Sequence, residues 1–232
     1  MISIIIPVLN ESQTIGKLLL HLTKEIPQNT TMEIIVVDGG SKDNTLEEVA
    51  HFSGLLPIKT IRTSKGRAVQ MNRGAQEASG SILYFLHADT VPPFHFEQSI
   101  TKALLGKAIA GCFRMKFDSK HPILLVSQWF TRFNFKACRG GDQSLFVEKE
   151  VFDALGGFNE QFEVYEDCEF INRLYDHGPF IVLKDSVVTS ARRYRSNGTA
   201  KLQFHFAIIH LKKWFGTSPQ GLVSYYNKYI AS

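Results

Sequence analysis

The run Ile2-Ser3-Ile4-Ile5-Ile6-Pro7-Val8-Leu9 is almost wholly branched aliphatic, which suits a strand buried on both faces. The pattern recurs at residues 34–37, 58–61 and 82–86. Helix-patterned stretches lie between these runs: Ile15, Leu18, Leu19 and Leu22 share one face after the first, and residues 67–79 precede the fourth. Strand and helix alternating at this spacing imply right-handed crossovers and a parallel sheet with helices on both faces. In such sheets ligands sit beyond the carboxyl ends of the strands. Further on, residues 110–117 and 144–147 read as strands. Residues 124–135, 148–155, 167–177, 200–215 and 220–229 read as helices.

Three of the early strand ends carry acids: Glu11 after Leu9-Asn10, Asp38, and Asp89 in His87-Ala88-Asp89. Each has a plain structural reading. Glu11 is also a helix-cap residue, and Asp38-Gly39-Gly40-Ser41 is also turn chemistry. Together on one sheet edge they would repel, so a cation or hydrogen-bond donors should lie among them. The chain has no Gly-x-Gly-x-x-Gly after its first strand, no Gly-Lys-Ser/Thr loop and no Gly-x-Ser-x-Gly elbow. That speaks against nicotinamide, P-loop and serine-hydrolase chemistry. Three cysteines without paired short spacing argue against a disulfide framework and a cysteine-rich zinc site.

Read in order, the motifs resemble the family 2 glycosyltransferases of GT-A fold. The resemblance rests on residues 3–11 and on Val36-Val37-Asp38-Gly39-Gly40-Ser41 with Asp43 and Thr45. It continues through Lys65-Gly66-Arg67 with Asn72 and Gly74-Ala75, His87-Ala88-Asp89, and Gly156-Gly157-Phe158 followed by Glu166-Asp167 and Arg173-Leu174. It implies a Rossmann-like, mostly parallel sheet in a domain of residues 1–198, followed by a helical appendage over 199–232. It also implies inverting transfer of a sugar from a nucleotide-diphosphate donor, uridine-linked by expectation, to an acceptor hydroxyl.

By the same resemblance Asp167, beside Glu166, is the general base. Pro7, Asn10, Glu11, Asp38, Lys65, Arg67 and Ala88 hold the nucleotide, with Arg67 near the base or diphosphate. Asp89 binds Mn²⁺ or Mg²⁺. His87 replaces the first acid of the usual Asp-x-Asp and is read as a second ligand, better suited to Mn²⁺; contact with a phosphate and plain packing are its other readings. Asp142 and Gln143, in Gly140-Gly141-Asp142-Gln143, either line the sugar or acceptor pocket or form a turn. Arg192 and Arg193 either clamp the diphosphate or sit in a solvated basic loop. Gly74 and Ala75 point to close helix packing. A non-catalytic nucleotide-sugar-binding or membrane-associated regulator on the same fold is the alternative function.

Charge is unevenly spread. Residues 186–232 contain no Asp or Glu but seven Lys and Arg, whereas the first 185 residues carry 19 basic and 22 acidic residues. On a helical wheel Leu202, Phe206 and Ile209 share one side after Ala200; Phe204, Ile208, Leu211 and Phe215 lie opposite. One protein surface does not readily cover both. The second side is read as meeting an anionic membrane, a second subunit, or the last helix of the chain. Nucleic acid is not an expected partner. Trp129, Phe130, Phe133 and Phe135 suit a lipid-linked or aromatic acceptor, or simple packing. With no apolar run near the ~18 residues of a spanning helix, the expectation is a cytoplasmic protein, peripheral at most on the inner face of the membrane.

Overall fold

The computed structural model describes residues 1–26 and 32–230. The chain opens with β1 (Ile2–Val8), α1 (Ile15–Glu25), β2 (Glu33–Asp38), α2 (Thr45–Ala50), β3 (Ile58–Arg62), α3 (Arg67–Glu77) and β4 (Ile82–Phe85). These four strands are parallel and ordered β3-β2-β1-β4. The chain steps outward from β1 to β3, then returns to the far side of β1. The loops after β1 and β4 therefore leave in opposite directions and open a crevice at the carboxyl edge.

The second half adds β5 (Thr90–Val91), α4 (Phe96–Leu105), β6 (Ala110–Phe117), α5 (Pro122–Phe130), β7 (Leu145–Glu148), α6 (Lys149–Ala154), α7 (Glu166–His177) and β8 (Phe180–Thr189). Three helices finish the chain: α8 (Arg192–Asn197), α9 (Thr199–Trp214) and α10 (Pro219–Tyr229). Among the described residues the sheet has eight strands in the order β3-β2-β1-β4-β7-β6-β8-β5. β7 runs antiparallel to both β4 and β6, and β8 runs parallel to β6.

β8 was not legible as a strand because Lys184-Asp185 interrupts its apolar run. The structure resolves the conflict with an irregular register. Phe113 pairs with Leu183, while the next residue, Arg114, pairs with Ser186, so the charged pair is passed over at a bulge.

Strand alternation builds two cores, one on each face of the sheet. Ile4, Ile6, Val8, Ile34, Val36 and Tyr84 face α1 and α4 and join Leu18, Leu19, Leu22, Phe96 and Ile100. Ile5, Ile35, Val37, Leu83 and Phe85 face the other way and join Met71 and Ala75 of α3 and Phe170, Ile171 and Leu174 of α7. Leu202, Ile209 and Leu222 of the last helices belong to the first core, so the appendage is packed into the body. Among the described residues no helix is long and apolar enough to cross a membrane.

Gly74 sets how closely α3 approaches the sheet. A Cβ there would stand 2.4 Å from Ile5 Cγ2 and 3.1 Å from Val37 Cγ2, both in the dry core. This bears out the packing reading of Gly74. Gly74→Ala should gain about 1 kcal/mol of helix propensity but incur ~1–3 kcal/mol of overpacking. A net loss of stability, read as a lower midpoint in chemical denaturation, is expected.

Candidate active site

Hydrogen bonds stitch the loops after β1 and β2 together. The Asn10 N–H donates to Ser41 Oγ (3.0 Å) and the Lys42 N–H to Asn10 Oδ1 (2.8 Å). The Glu11 N–H donates to Thr45 Oγ1 (2.8 Å) and the Ser12 N–H to Asp43 Oδ2 (3.2 Å). Asn10 takes a left-handed conformation (φ 56°), which its short amide tolerates better than most side chains.

Beneath these loops Gln70, buried on α3, donates from Nε2 to Val8 O (2.8 Å) and Val37 O (2.7 Å). It pins the ends of β1 and β2 side by side. A Cβ on Gly39 would lie only 3.0 Å from the Gln70 amide, so this glycine serves close approach, while Gly40 (φ 93°) serves the turn. Asp38 is buried at the end of β2. Its Oδ1 accepts from the Ser41 N–H (2.9 Å), and its Oδ2 lies 3.9 Å from Arg62 Nε. Pro7, in the parallel register beside Val37, and Ala88 are buried in the walls of this edge.

Across the crevice the first turn of α7 presents Glu166 and Asp167, both buried. Their entry residue, Tyr165, has φ 80°, an outlier for a bulky side chain. Carboxylates gathered at a helix N-terminus are favoured by the backbone N–H groups there, but crowding demands countercharge as well. Arg67, at the start of α3, brings Nη1 to 3.1 Å from Glu166 Oε1 and 3.6 Å from Asp167 Oδ2. Burial pushes the Glu166 pKa up. The Arg67 guanidinium opposes that rise, and the neighbouring Asp167 adds to it. Arg67, expected near the base or diphosphate, is thus the counter-cation of the α7 carboxylates.

His87 sits between two acids, with Nε2 3.9 Å from Asp167 Oδ2 and Nδ1 3.5 Å from Asp142 Oδ1. Both ring nitrogens face carboxylates, so its expected role as a second metal ligand does not match its surroundings. Burial and Arg67 work against the imidazolium, but Asp142 and Asp167 outweigh them and its pKa is raised. Asp89 is pushed up by desolvation and then by Asp142, with His87 and Arg192 opposing and Glu11 adding to the rise. Arg192 donates to both oxygens of Glu11 (3.0 and 3.2 Å) and ties α8 to the β1–α1 loop.

Other expected residues have different occupations. Arg193 donates to the Tyr226 hydroxyl and lies over the Phe206 and Tyr226 rings. Lys65 is exposed in its loop. Gln143, expected in the pocket lining, is instead folded into a buried polar knot. Arg139 Nη1 donates to Gln143 Oε1 (2.5 Å) and Nη2 to Thr131 O (2.8 Å), while Gln143 Nε2 donates to Cys138 O (2.7 Å). That knot holds the short 3-10 turn Gly141–Gln143 that carries Asp142, which is open to solvent.

A Cβ at Gly141 would fall 1.9 Å from Asp167 Oδ2 and 3.0 Å from His87 Cε1. Gly141, Gln70 and Tyr165 are the structural determinants of the site that sequence reasoning passed over. The Gly140-Gly141 pair was a signal for the first; nothing local distinguishes the other two.

The family model for glycosyl transferase family 2 matches residues 3–156. The chain belongs to that family. It is 37% identical over 224 residues to glycosyltransferase AglE of Haloferax volcanii, covering 92% of this chain and 74% of the relative. Among solved structures, the mannosyltransferase PcManGT of Pyrobaculum calidifontis, in complex with GDP-Man and Mn²⁺, superposes with a TM-score of 0.73 at 19% identity. That match covers 97% of this chain and 69% of the other. S. aureus TarS 1-349 in complex with UDP gives 0.70 at 19% identity, over 82% of this chain and 60% of TarS 1-349. These likenesses establish the GT-A fold. As a family 2 glycosyltransferase the chain is an enzyme, and the non-catalytic alternative falls away.

Gly141→Ala should leave the fold intact, because Gly141 has no positive φ, yet push the Asp167 carboxylate aside. A displacement near 1 Å costs on the order of 100-fold in rate, so transfer should fall by about that factor with an unchanged circular-dichroism spectrum. Glu166 yields a second expectation. Its folded pKa lies above the ordinary 4.5, so the folded state binds the extra proton. Stability must therefore decline as pH rises through the interval above 4.5. Glu166→Gln should flatten that decline in denaturant titrations run between pH 5 and 8.

Proposed function

We propose that this glycosyltransferase moves a sugar from a nucleotide-diphosphate donor, uridine-linked, to an acceptor hydroxyl with inversion at the anomeric carbon. The observation that carries this reading is the placement of Asp167. It is held at a helix N-terminus against Arg67 and against His87 of the loop after β4, beside the point where the loops after β1 and β4 part. The stitched β1 and β2 loops form a rigid cradle for the nucleoside. Asp38 at its end suits the N–H that a uracil ring presents between two carbonyls. The solved relatives bind UDP, UDP-GlcNAc and GDP-Man, which supports a nucleotide-sugar donor here.

In the reaction the acceptor oxygen attacks the anomeric carbon from the face opposite the diphosphate. The Asp167 carboxylate takes the hydroxyl proton as the new C–O bond forms. The bond to the diphosphate oxygen breaks, and that oxygen keeps the electron pair. Arg67 restrains the Asp167 carboxylate and offsets the charge of Glu166.

The donor set at the crevice fits a hard divalent cation. Asp89 is a half-buried carboxylate pressed by Asp142 and Glu11. Among the described residues no three His, Cys, Asp or Glu side chains converge to hold an ion, so phosphate oxygens and water would complete its shell. Held by Asp89, Mn²⁺ or Mg²⁺ would neutralise charge on the departing diphosphate. His87, turned to Asp142 and Asp167, orients these carboxylates.

Asp167→Asn should abolish transfer while leaving donor-nucleotide affinity within a few-fold by calorimetry; unchanged transfer would remove Asp167 from the mechanism. Asp89→Ala should weaken the Mn²⁺-dependent thermal stabilisation produced by UDP. Full turnover by enzyme stripped with EDTA would refute the role given to the metal.

A further inference from the structure

Among the described residues, ten of the seventeen exposed large apolar side chains fall within residues 122–135 and 204–215. α5 buries only Leu124 and leaves Val126 59%, Trp129 46% and Phe130 48% exposed. On α9, Phe204, Leu211 and Phe215 share one outward stripe. Leu202 and Ile209 on the opposite side enter the core, which leaves that stripe without a protein partner among the described residues. The two helices adjoin. Gln203 Nε2 donates to Ser127 Oγ (3.4 Å), and Phe204 and Val126 are their immediate chain neighbours. Grouped exposed apolar surface of this kind marks an interaction site rather than ordinary surface scatter.

The charges around it select the occupant. Residues 119–141 contain no Asp or Glu, nor do residues 186–232. Lys120, Arg132 and Lys201 border the two helices, exposed and without an acidic partner among the described residues. Lys212 and Lys213 lie on the Tyr225 and Phe162 rings. Apolar side chains with both tryptophans, ringed by unpaired cations, have the composition of an interfacial face. A second copy would bring two positive surfaces together, whereas an anionic bilayer supplies opposite charge and an apolar layer at once. Nucleic acid would use the charge and leave the aliphatic stripe without purpose.

We propose that the α5–α9 face docks this enzyme on anionic membranes, with the apolar stripe entering the acyl boundary and the lysines meeting lipid phosphates. The polar knot of Arg139 joins this face to the site. It binds the carbonyls of Thr131 and Phe133, just past α5, and through Gln143 the turn that carries Asp142. The inference stands apart from the transfer reading, and its test uses no sugar donor.

The chain's two tryptophans, Trp129 on α5 and Trp214 at the end of α9, are both exposed, so intrinsic fluorescence from the two helices reports docking. The full-length protein should float with vesicles of phosphatidylcholine and phosphatidylglycerol and shift its emission to the blue. Vesicles of phosphatidylcholine alone should bind far less. Phe204→Glu with Leu211→Glu, which keeps both tryptophans, should cut vesicle affinity at least tenfold at unchanged melting temperature. Lys120→Gln with Lys201→Gln should cost about fivefold per lysine and lower the salt dependence. The proposal is overturned if anionic vesicles do not bind, or if these variants bind as the parent does. It is equally overturned if light scattering shows a stable dimer with both tryptophans already buried, or if an oligonucleotide binds as tightly as the vesicles.

Discussion

Carboxylates cannot share a partly dry strand edge without cations among them, and this constraint organises the site. Two like charges about 4 Å apart repel by ~4 kcal/mol at an effective dielectric near 20. Glu166, Asp167, Asp142 and Asp89 all bear on this edge, with Arg67 and His87 set between them. Burial is the first cause of the raised pKa values of Glu166 and Asp89, with neighbouring acids adding to it, and four carboxylates here face two cationic side chains. A site with this imbalance is electrostatically ready for cationic charge from outside, which is how the metal and the donor diphosphate fit the proposed reaction together.

Backbone geometry meets the same demand. Asn10 and Tyr165 sit in left-handed conformations at two of the loops that frame the crevice, and Ser144 (φ 59°) follows the turn that carries Asp142. Strain at such positions persists where the surroundings over-determine it. Cross-loop hydrogen bonds do so at Asn10, and the Arg139 knot does so beside Ser144. The knot also gives α5 its meaning. A helix that buries a single leucine is a poor contributor to the core, yet the turn after it is fastened by a buried guanidinium to the loop facing Asp167. The end of α5 and the turn that carries Asp142 are thereby joined through one buried hydrogen-bond network.

Much of this was legible in the chain. The aliphatic runs announced β1, β2, β3 and β4, since strands buried on both faces leave little room for polar residues. The acids at their ends then followed from the rule that ligands gather at carboxyl edges. β8 escaped because Lys184-Asp185 looks like a loop until a bulge passes it over. α4 and α8 escaped because one starts after a left-handed His95 and the other lies in a basic stretch without apolar periodicity. Gln143 resembled a pocket residue, but an amide beside a buried arginine becomes part of that arginine's hydrogen-bond shell.

Composition and order alone determined the parallel strands β1 to β4, the family resemblance and the identities of the acids, because strand periodicity and motif spacing are local properties. Tertiary structure decided which charges face one another. Arg67 and Glu166 are 99 residues apart along the chain and 3.1 Å apart in space. It also decided that Phe204, Leu211 and Phe215 on the second apolar side of α9 would stay exposed, because burial depends on what the rest of the fold brings near, and no residue carries that information in its own neighbourhood.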